Sequence, residues 1–263
     1  YMYQLPEKLN IDWMVKENHL FASFDQLTKL VDWKNKYYPG AFFHMNHVPG
    51  QSWDHYLPRN GEIYNYQDLR KELIELGHTF ATEGDGETLL HGYEQWGADL
   101  LPRLRGMFGF AIWCAEKGEL FIARDYFGIK PMHYALLEDG RIVYGSEIKS
   151  ILGHPDVKKE FNPAALDKYL SFQYSVPTET FFKGISCLPP AHYLIYKGGE
   201  VSIHRYWEPT FTPNEDMTLE QAVDAIDEAF TDSVAAHRIS DVEVGCFLSS
   251  GVDSSYVASY FAG

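Results

Sequence analysis

Met107 to Cys114, reading Met-Phe-Gly-Phe-Ala-Ile-Trp-Cys, offers no polar side chain to water on either face. A strand with that pattern has to lie between two covering layers, which excludes an open single sheet with one wet side. Lys117-Gly118 turns it back into Leu120 to Ala123 as an antiparallel hairpin. A second strand pair, His133 to Leu137 and Ile142 to Tyr144, turns at Asp139-Gly140, and Arg124 to Pro131 reads as a rigid loop joining the two pairs.

Helices are expected on both sides of this strand-rich block. Asn60-Gly61 is a turn dipeptide, and Asn65-Tyr66-Gln67-Asp68 opens a helix whose Leu69, Leu73, Ile74 and Leu76 form an apolar stripe closed by Gly77. An extended piece, His78 to Thr82, leads through Glu83-Gly84-Asp85-Gly86-Glu87 into a second helix. There Asp85 sits as an N-cap, Leu89, Leu90 and Tyr93 point inward, and Gly97 stops the helix. Short helices are expected at Asp99 to Leu104, from Ser146-Glu147 through Ile151, and at Pro163 to Leu170; extended segments follow at Tyr193 to Tyr196 and Val201 to Tyr206.

Glu208 to Asp216, with Pro209 and Pro213, reads as a linker. Beyond it Thr218 and Gln221 form a capping-box pair before a long helix. Its Leu219, Ala222, Val223, Ile226, Ala229, Phe230 and Val234 recur at helical spacing and are expected to pack in a core. The chain then reaches Val244 to Ser255, where a short apolar run predicts a buried strand that breaks at Ser249-Ser250-Gly251 into a helix. A strand-to-helix turn of small and hydroxyl residues aims backbone N–H groups and the positive helix end at one spot, the arrangement that takes a phosphate or pyrophosphate. Asp253 would hold a magnesium ion against phosphate oxygens. No Gly-Lys-Ser/Thr follows, so this is not a Walker loop.

The formal net charge of −15 argues against a nucleic-acid grip, which needs basic patches, while small anions remain compatible through helix ends and magnesium. Three unpaired cysteines, Cys114, Cys187 and Cys246, suggest a reducing, cytoplasmic setting without a disulfide framework or zinc site. No apolar run spans a bilayer. In residues 1–59 a short helix is expected around Asp25 to Lys34, and His44, His47, Asp54 and His55 lie in a loop without metal-ligand spacing and read as scattered surface groups.

From Asn60 onward the chain resembles the glutamine-hydrolysing asparagine synthetases. The residues that carry the likeness are Asn60-Gly61-Glu62-Ile63-Tyr64-Asn65, Gly84-Asp85-Gly86-Glu87, Arg105 to Ala111, Ala123 to Pro131, Ser146 to Lys149 and the phosphate loop, which resembles the Ser-Gly-Gly-x-Asp-Ser loop of ATP-pyrophosphatases with Ser250 where glycine is usual. The resemblance implies an α+β class II glutaminase of α/β/β/α layers over 60–207, here incomplete, followed by the opening of an α/β ATP-pyrophosphatase domain over 208–263, with 1–59 unassigned. It implies ATP and Mg2+ as cofactors, glutamine and aspartate as substrates, a homodimer, and no nucleic-acid or membrane partner. By position, Asn60 and Gly61 match the oxyanion hole, Glu62 and Asp85 the groups that hold the α-amino group of glutamine. Leu248, Ser249, Ser250, Gly251, Asp253, Ser254 and Ser255 match the ATP loop, with Asp253 the metal ligand; Arg124 and Asp125 match a structural block without a catalytic role.

The family's nucleophile is a first-residue cysteine, whereas this chain opens on Tyr1 and has no cysteine before Cys114. The chain therefore reads as a piece lacking that nucleophile and ending a few residues into the helix after the phosphate loop. Two alternatives stay open from the residues alone. One is a non-catalytic binding module on a degenerate amidotransferase scaffold; the other is an amidotransferase relative with another acceptor, such as a β-lactam synthetase.

Overall fold

The computed structural model describes residues 44–45, 55–56, 58–174, 176, 178–240 and 243–262. The helix expected at Asp25 to Lys34 lies outside them, as do His47 and Asp54. Two antiparallel sheets form the centre. The larger joins β1 (His44–Met45), β3 (Pro58–Ile63), β4 (Gly106–Cys114), β5 (Glu119–Arg124), β9 (His192–Lys197) and β10 (Glu200–Arg205) in that order, with β2 (His55–Tyr56) also on β4. The smaller runs β7 (Ile142–Gly145), β6 (His133–Leu136), β8 (Ser186–Cys187).

The expectation for Met107 to Cys114 holds except at Trp113, which is exposed, and the two-residue period of the strands sorts their side chains into two cores. Phe108, Phe110, Ile112 and Cys114 of β4, with Phe121 and Ala123 of β5, face a helical layer. That layer is α1 (Tyr66–Glu75), α2 (Asp85–Trp96) and a 3-10 turn (Gly97–Arg103), which contribute Leu69, Leu89, Leu90, Tyr93, Leu100 and Leu101. The alternate residues Ala111, Leu120, Ile122 and Leu194 face the second sheet through Met132, Tyr144 and Leu188. The outer side of that sheet, with Ala135 and Val143, is closed by Ile151 of α3 (Ile148–Leu152) together with Val157 and Ile185. Helices, sheet, sheet and helix therefore stack as four layers, the α/β/β/α order expected.

Three helical expectations need correction. On α1 only Leu69 and Leu73 are buried; Ile74 faces solvent because it lies off the face those two share, and Leu76 does so past the last turn, at the C-cap. Asn65 does not cap α1 with its side chain. Its Nδ2 donates to Arg103 O (2.8 Å) and its Oδ1 accepts from Arg105 N (2.9 Å), so it clips the helix start to the entry of β4. The third concerns α5 (Leu219–His237), where the Thr218–Gln221 capping box forms as expected but the apolar stripe is not in a core. Leu219 is 82 % exposed and Val223 and Ile226 also face water, since among the described elements α5 packs chiefly on α6 (Val252–Ala262) and does so through the Phe230 end of the stripe. The helix α4 (Pro163–Phe172) takes Pro163 into its first turn and ends at Gln173 in a left-handed conformation. Among the described residues no helix is long and apolar enough to cross a membrane.

Candidate active site

At Gly61 and Gly106 a side chain on β3 or β4 would run into the backbone of the other strand. A methyl group on Gly61 would lie 1.9 Å from Met107 O, and one on Gly106 would lie 2.1 Å from Glu62 O. Gly61 also holds φ +122, a conformation open essentially to glycine. Asn60-Gly61 is thus not a turn between elements but the middle of a strand, with Asn60 opposite Gly109 and Gly61 opposite Phe108. The glycine lets the β3 backbone press against β4, and half-buried Asn60 precedes it in the strand. Glu62 is exposed, and Ile63 enters the core.

Asp85 comes to the same place from α2. It is the first helical residue, and Gly84 takes the N-cap position expected for Asp85. Its side chain leaves the helix end and turns to β3, where Oδ2 accepts from Ile63 N at 3.2 Å and from Arg59 Nη1 at 2.5 Å. Arg59 Nη1 also donates to Gly61 O at 3.1 Å. The pair is largely shielded, with side-chain exposures of 11 % for Arg59 and 7 % for Asp85. A charge-assisted hydrogen bond of this kind strengthens with burial, and it ties the helix end to the glycine strand. Three of the four sequence-predicted glutamine-binding residues are consecutive on β3, and Asp85 reaches that strand through Ile63 and Arg59.

Sequence reading missed Arg59, whose partner lies 26 positions away. It also missed Glu87, fully buried in the first turn of α2. Glu87 accepts from Ala81 N (2.8 Å), Thr82 N (2.6 Å) and Thr82 Oγ1 (2.6 Å), so its carboxylate fixes the approach to the helix that carries Asp85. Asp125 does the same for the other side of β4. Its buried carboxylate gathers the N–H groups of Phe108, Phe127, Ile129 and Lys130, while Arg124 donates to the carbonyls of Gly128, Lys130 and Leu188. These two residues build the rigid loop expected from Arg124 to Pro131.

The phosphate-loop residues lie on the surface. Val244 to Leu248 is not the expected buried strand: it has no strand pairing, and Phe247 is 96 % exposed, because no described strand lies alongside to take up its amides. The loop beyond it does bend sharply into α6. Ser249 N donates to Ser254 Oγ (3.2 Å), Ser249 Oγ and Ser254 Oγ are 3.1 Å apart, and the hydroxyls of Ser254 and Ser255 donate to Gly251 O (3.1 and 2.8 Å). Three serines thus surround Gly251, with their hydroxyls satisfied by the loop itself. Ser250 sits at φ +59, the left-handed region in which glycine is unstrained and serine is not. Asp253 is exposed in the first turn of α6.

Two family models match the chain: a glutamine amidotransferase domain over residues 48–207 and asparagine synthase over residues 225–263. Among curated proteins, asparagine synthetase [glutamine-hydrolyzing] 3 of Bacillus subtilis is 40 % identical over 205 residues, covering 78 % of this chain and 33 % of that protein. Asparagine synthetase [glutamine-hydrolyzing] 1 of the same organism is 39 % identical over 205 residues, covering 76 % of this chain and 31 % of its own length. The chain thus spans about a third of the length of the curated relatives it matches. Among solved structures, glutamine phosphoribosylpyrophosphate amidotransferase from B. subtilis, complexed with ADP and GMP, aligns with a TM-score of 0.42 at 16 % identity, covering 81 % of this chain and 45 % of that one.

Proposed function

Given that the chain belongs to the glutamine amidotransferase family, with an asparagine synthase segment after it, we propose that it contributes the glutamine pocket and the nucleotide loop of a glutamine-hydrolysing asparagine synthetase. The full reaction in this reading is ATP, aspartate and glutamine going to asparagine, AMP, pyrophosphate and glutamate through an aspartyl adenylate. The ligase chemistry divides between an amidotransferase part over 60–207 and a synthetase part from 208, joined at the exposed Glu208 to Asp216 segment.

The observation that carries this reading is the assembly of Asn60, Gly61 and Asp85 about one strand. In acyl transfer from glutamine, negative charge develops on the carbonyl oxygen, and preorganised donors aimed at it are the largest catalytic term. The Asn60 side-chain amide and the Gly61 N–H are donors of that kind, locked by a glycine that has no freedom to become anything else. Asp85 supplies the carboxylate for the substrate's α-ammonium, with Glu62 on the neighbouring strand position. Arg59 already neutralises Asp85, so an incoming ammonium shares or displaces a guanidinium rather than meeting a bare charge.

At the nucleotide loop, Leu248 to Ser255 present hydroxyl and backbone donors about Gly251, where a phosphate would take over the bonds the serines now make with the loop. The residues fit a magnesium ion in one respect: Asp253 offers an exposed carboxylate beside those donors, the oxygen ligand that magnesium prefers. Bound there, the ion would offset charge on the phosphates. The test is calorimetric titration of the chain with L-glutamine and, separately, with ATP and magnesium. Glutamine binding that Asn60→Ala and Asp85→Asn each weaken, and nucleotide binding that Asp253→Ala weakens, support the reading. Binding that none of these substitutions changes, or no binding of either ligand, overturns it.

A further inference from the structure

A second polar cluster lies on the far side of α2 from the sheet. His91 and Glu94 occupy one face of the helix at i and i+3, and His78 joins them from the segment that follows α1, where its backbone N–H is held by Leu73 O at 3.0 Å. One ligand atom from each of the three falls within 4.8 Å of the others. Glu94 Oε2 stands 2.7 Å from His91 Nδ1 and 3.6 Å from His78 Nδ1.

The outward nitrogens define what the inward ones present. His78 Nε2 meets Gln95 Oε1 at 3.0 Å, while buried His91 Nε2 makes no hydrogen bond, its nearest carboxylate oxygen being Glu87 Oε1 at 3.5 Å. Gln95 Oε1 accepts there, so Nε2 of a neutral His78 carries the hydrogen and leaves a lone pair at Nδ1, while His91 Nδ1 stands at hydrogen-bonding distance from Glu94. The His78 lone pair therefore faces the His91–Glu94 pair within one cluster. A proton on His91 can join two of the three groups, whereas a metal ion joins all three.

We propose that His78, His91 and Glu94 form a site for a divalent transition-metal ion of the zinc type. Two imidazoles and one carboxylate are a borderline donor set, suited to zinc, cobalt or nickel rather than to magnesium or calcium. With metal–ligand arms of about 2.0–2.1 Å, ligand atoms in a tetrahedral site stand roughly 3.3 Å apart. The separation from His78 lies near that value, and the shorter one from His91, a hydrogen-bond distance, would widen to it when an ion replaces the proton. On the His78 side the outer partner is also in place, since metal-bound histidines pass their second N–H to a carboxylate or carbonyl, the position taken here by Gln95; Glu87 stands 3.5 Å from His91 Nε2. His91 is buried while the side chains of His78 and Glu94 keep 17 % and 30 % exposure, which leaves an entry path and a fourth position for water. The ion would clamp the end of α1 to α2.

The experiment uses the full chain, stripped with chelator and titrated with Co2+ and Zn2+. The expected result is one tight equivalent, the intense visible absorption of four-coordinate cobalt, and a rise in Tm with zinc. His78→Gln and Glu94→Gln, both at accessible positions, are expected to weaken zinc at least about 10-fold and abolish the cobalt band, with stability of the metal-free protein little changed. Metal binding that survives both substitutions, as it would if carried by the histidines of residues 44–55, overturns the proposal; so does the absence of binding, which would leave the cluster joined by a proton alone.

Discussion

Arg59 reaches from β3 to place Nη1 2.5 Å from Asp85 Oδ2, so the carboxylate proposed to receive an amino group already has a cation. Removing one partner of a shielded pair strands the other charge, at a cost of about 3–5 kcal/mol. Arg59→Met should therefore lower the urea midpoint substantially. It should also enlarge the thermal stabilisation produced by glutamine, because the ligand's ammonium restores the missing charge. An equal glutamine shift in the two proteins would remove Asp85 from the binding scheme.

The glycine contacts of β3 separate backbone conformation from steric fit. Gly61 and Gly77 both have positive φ, but only Gly61 faces an obstruction, while a methyl on Gly77 meets nothing within 4 Å. Gly77→Ala should cost about 1 kcal/mol from conformation alone. Gly61→Ala should cost on the order of 3 kcal/mol or more as β3 is pushed from β4. Chemical denaturation of the two variants decides it, and equal losses would show that β3 and β4 tolerate separation.

Ser250 is strained where glycine is not. Ser250→Gly should relieve about 1 kcal/mol, seen as greater amide protection in the first turn of α6. In the proposed nucleotide role it should also tighten pyrophosphate several-fold by clearing the approach to the loop amides. Calorimetry with magnesium pyrophosphate provides the measurement, and weaker binding would count against a phosphate at this bend.

His133 gives a pH signature. Burial, reinforced by the charge of Arg124, pushes its imidazole below the ordinary histidine range despite the bond between Nδ1 and Ser146 O. The unfolded chain then takes up the proton first as pH falls below about 6.5, so stability is intact above that pH and is lost on acidification towards the folded-state value. His133→Gln should flatten this part of the stability profile between pH 7.5 and 5.5, measured as urea midpoints. A profile unchanged by the substitution would refute the assignment.

The cysteines predict an inactive glutaminase in this chain. Cys114 is buried on β4 five positions past Gly109, the partner of Asn60, or about 17 Å along the strand. Cys187 belongs to the smaller sheet, and Cys246 lies in the exposed run before the serine loop. Glutamine incubated with the purified chain should yield no glutamate above background. Release that Asn60→Ala abolishes would contradict this.

Local period and turn chemistry made β4, β5, β6 and β7 legible, because an apolar run between turn residues has few other ways to satisfy its backbone. The capping box of Thr218 was legible for the same reason: donor and acceptor lie three residues apart. What escaped depends on partners distant in sequence. Asn65 has the residue type of a helix cap, yet it is drawn to Arg103 and Arg105, nearly 40 positions on. Arg59 pairs across 26 positions, and Glu87 looks like an ordinary acidic first-turn residue although it is buried. The apolar periodicity of α5 and the run at Val244 to Leu248 announce surfaces made to be covered, and periodicity does not say by what. At Asn60 to Asp85 the residue types pointed to the proposed glutamine pocket, while the need for glycine at position 61 emerged only with the Met107 carbonyl beside it.

The exposed Leu219, Val223 and Ile226 of α5 and exposed Phe247 also govern how copies of the molecule behave towards one another in solution. A net charge of −15 keeps them apart at low ionic strength, while the apolar faces attract at short range. Added salt shortens the repulsion to about 8 Å at physiological strength and leaves the attraction in place. The osmotic second virial coefficient should therefore fall and change sign as sodium chloride is raised, and Val223→Glu with Ile226→Lys should hold it positive.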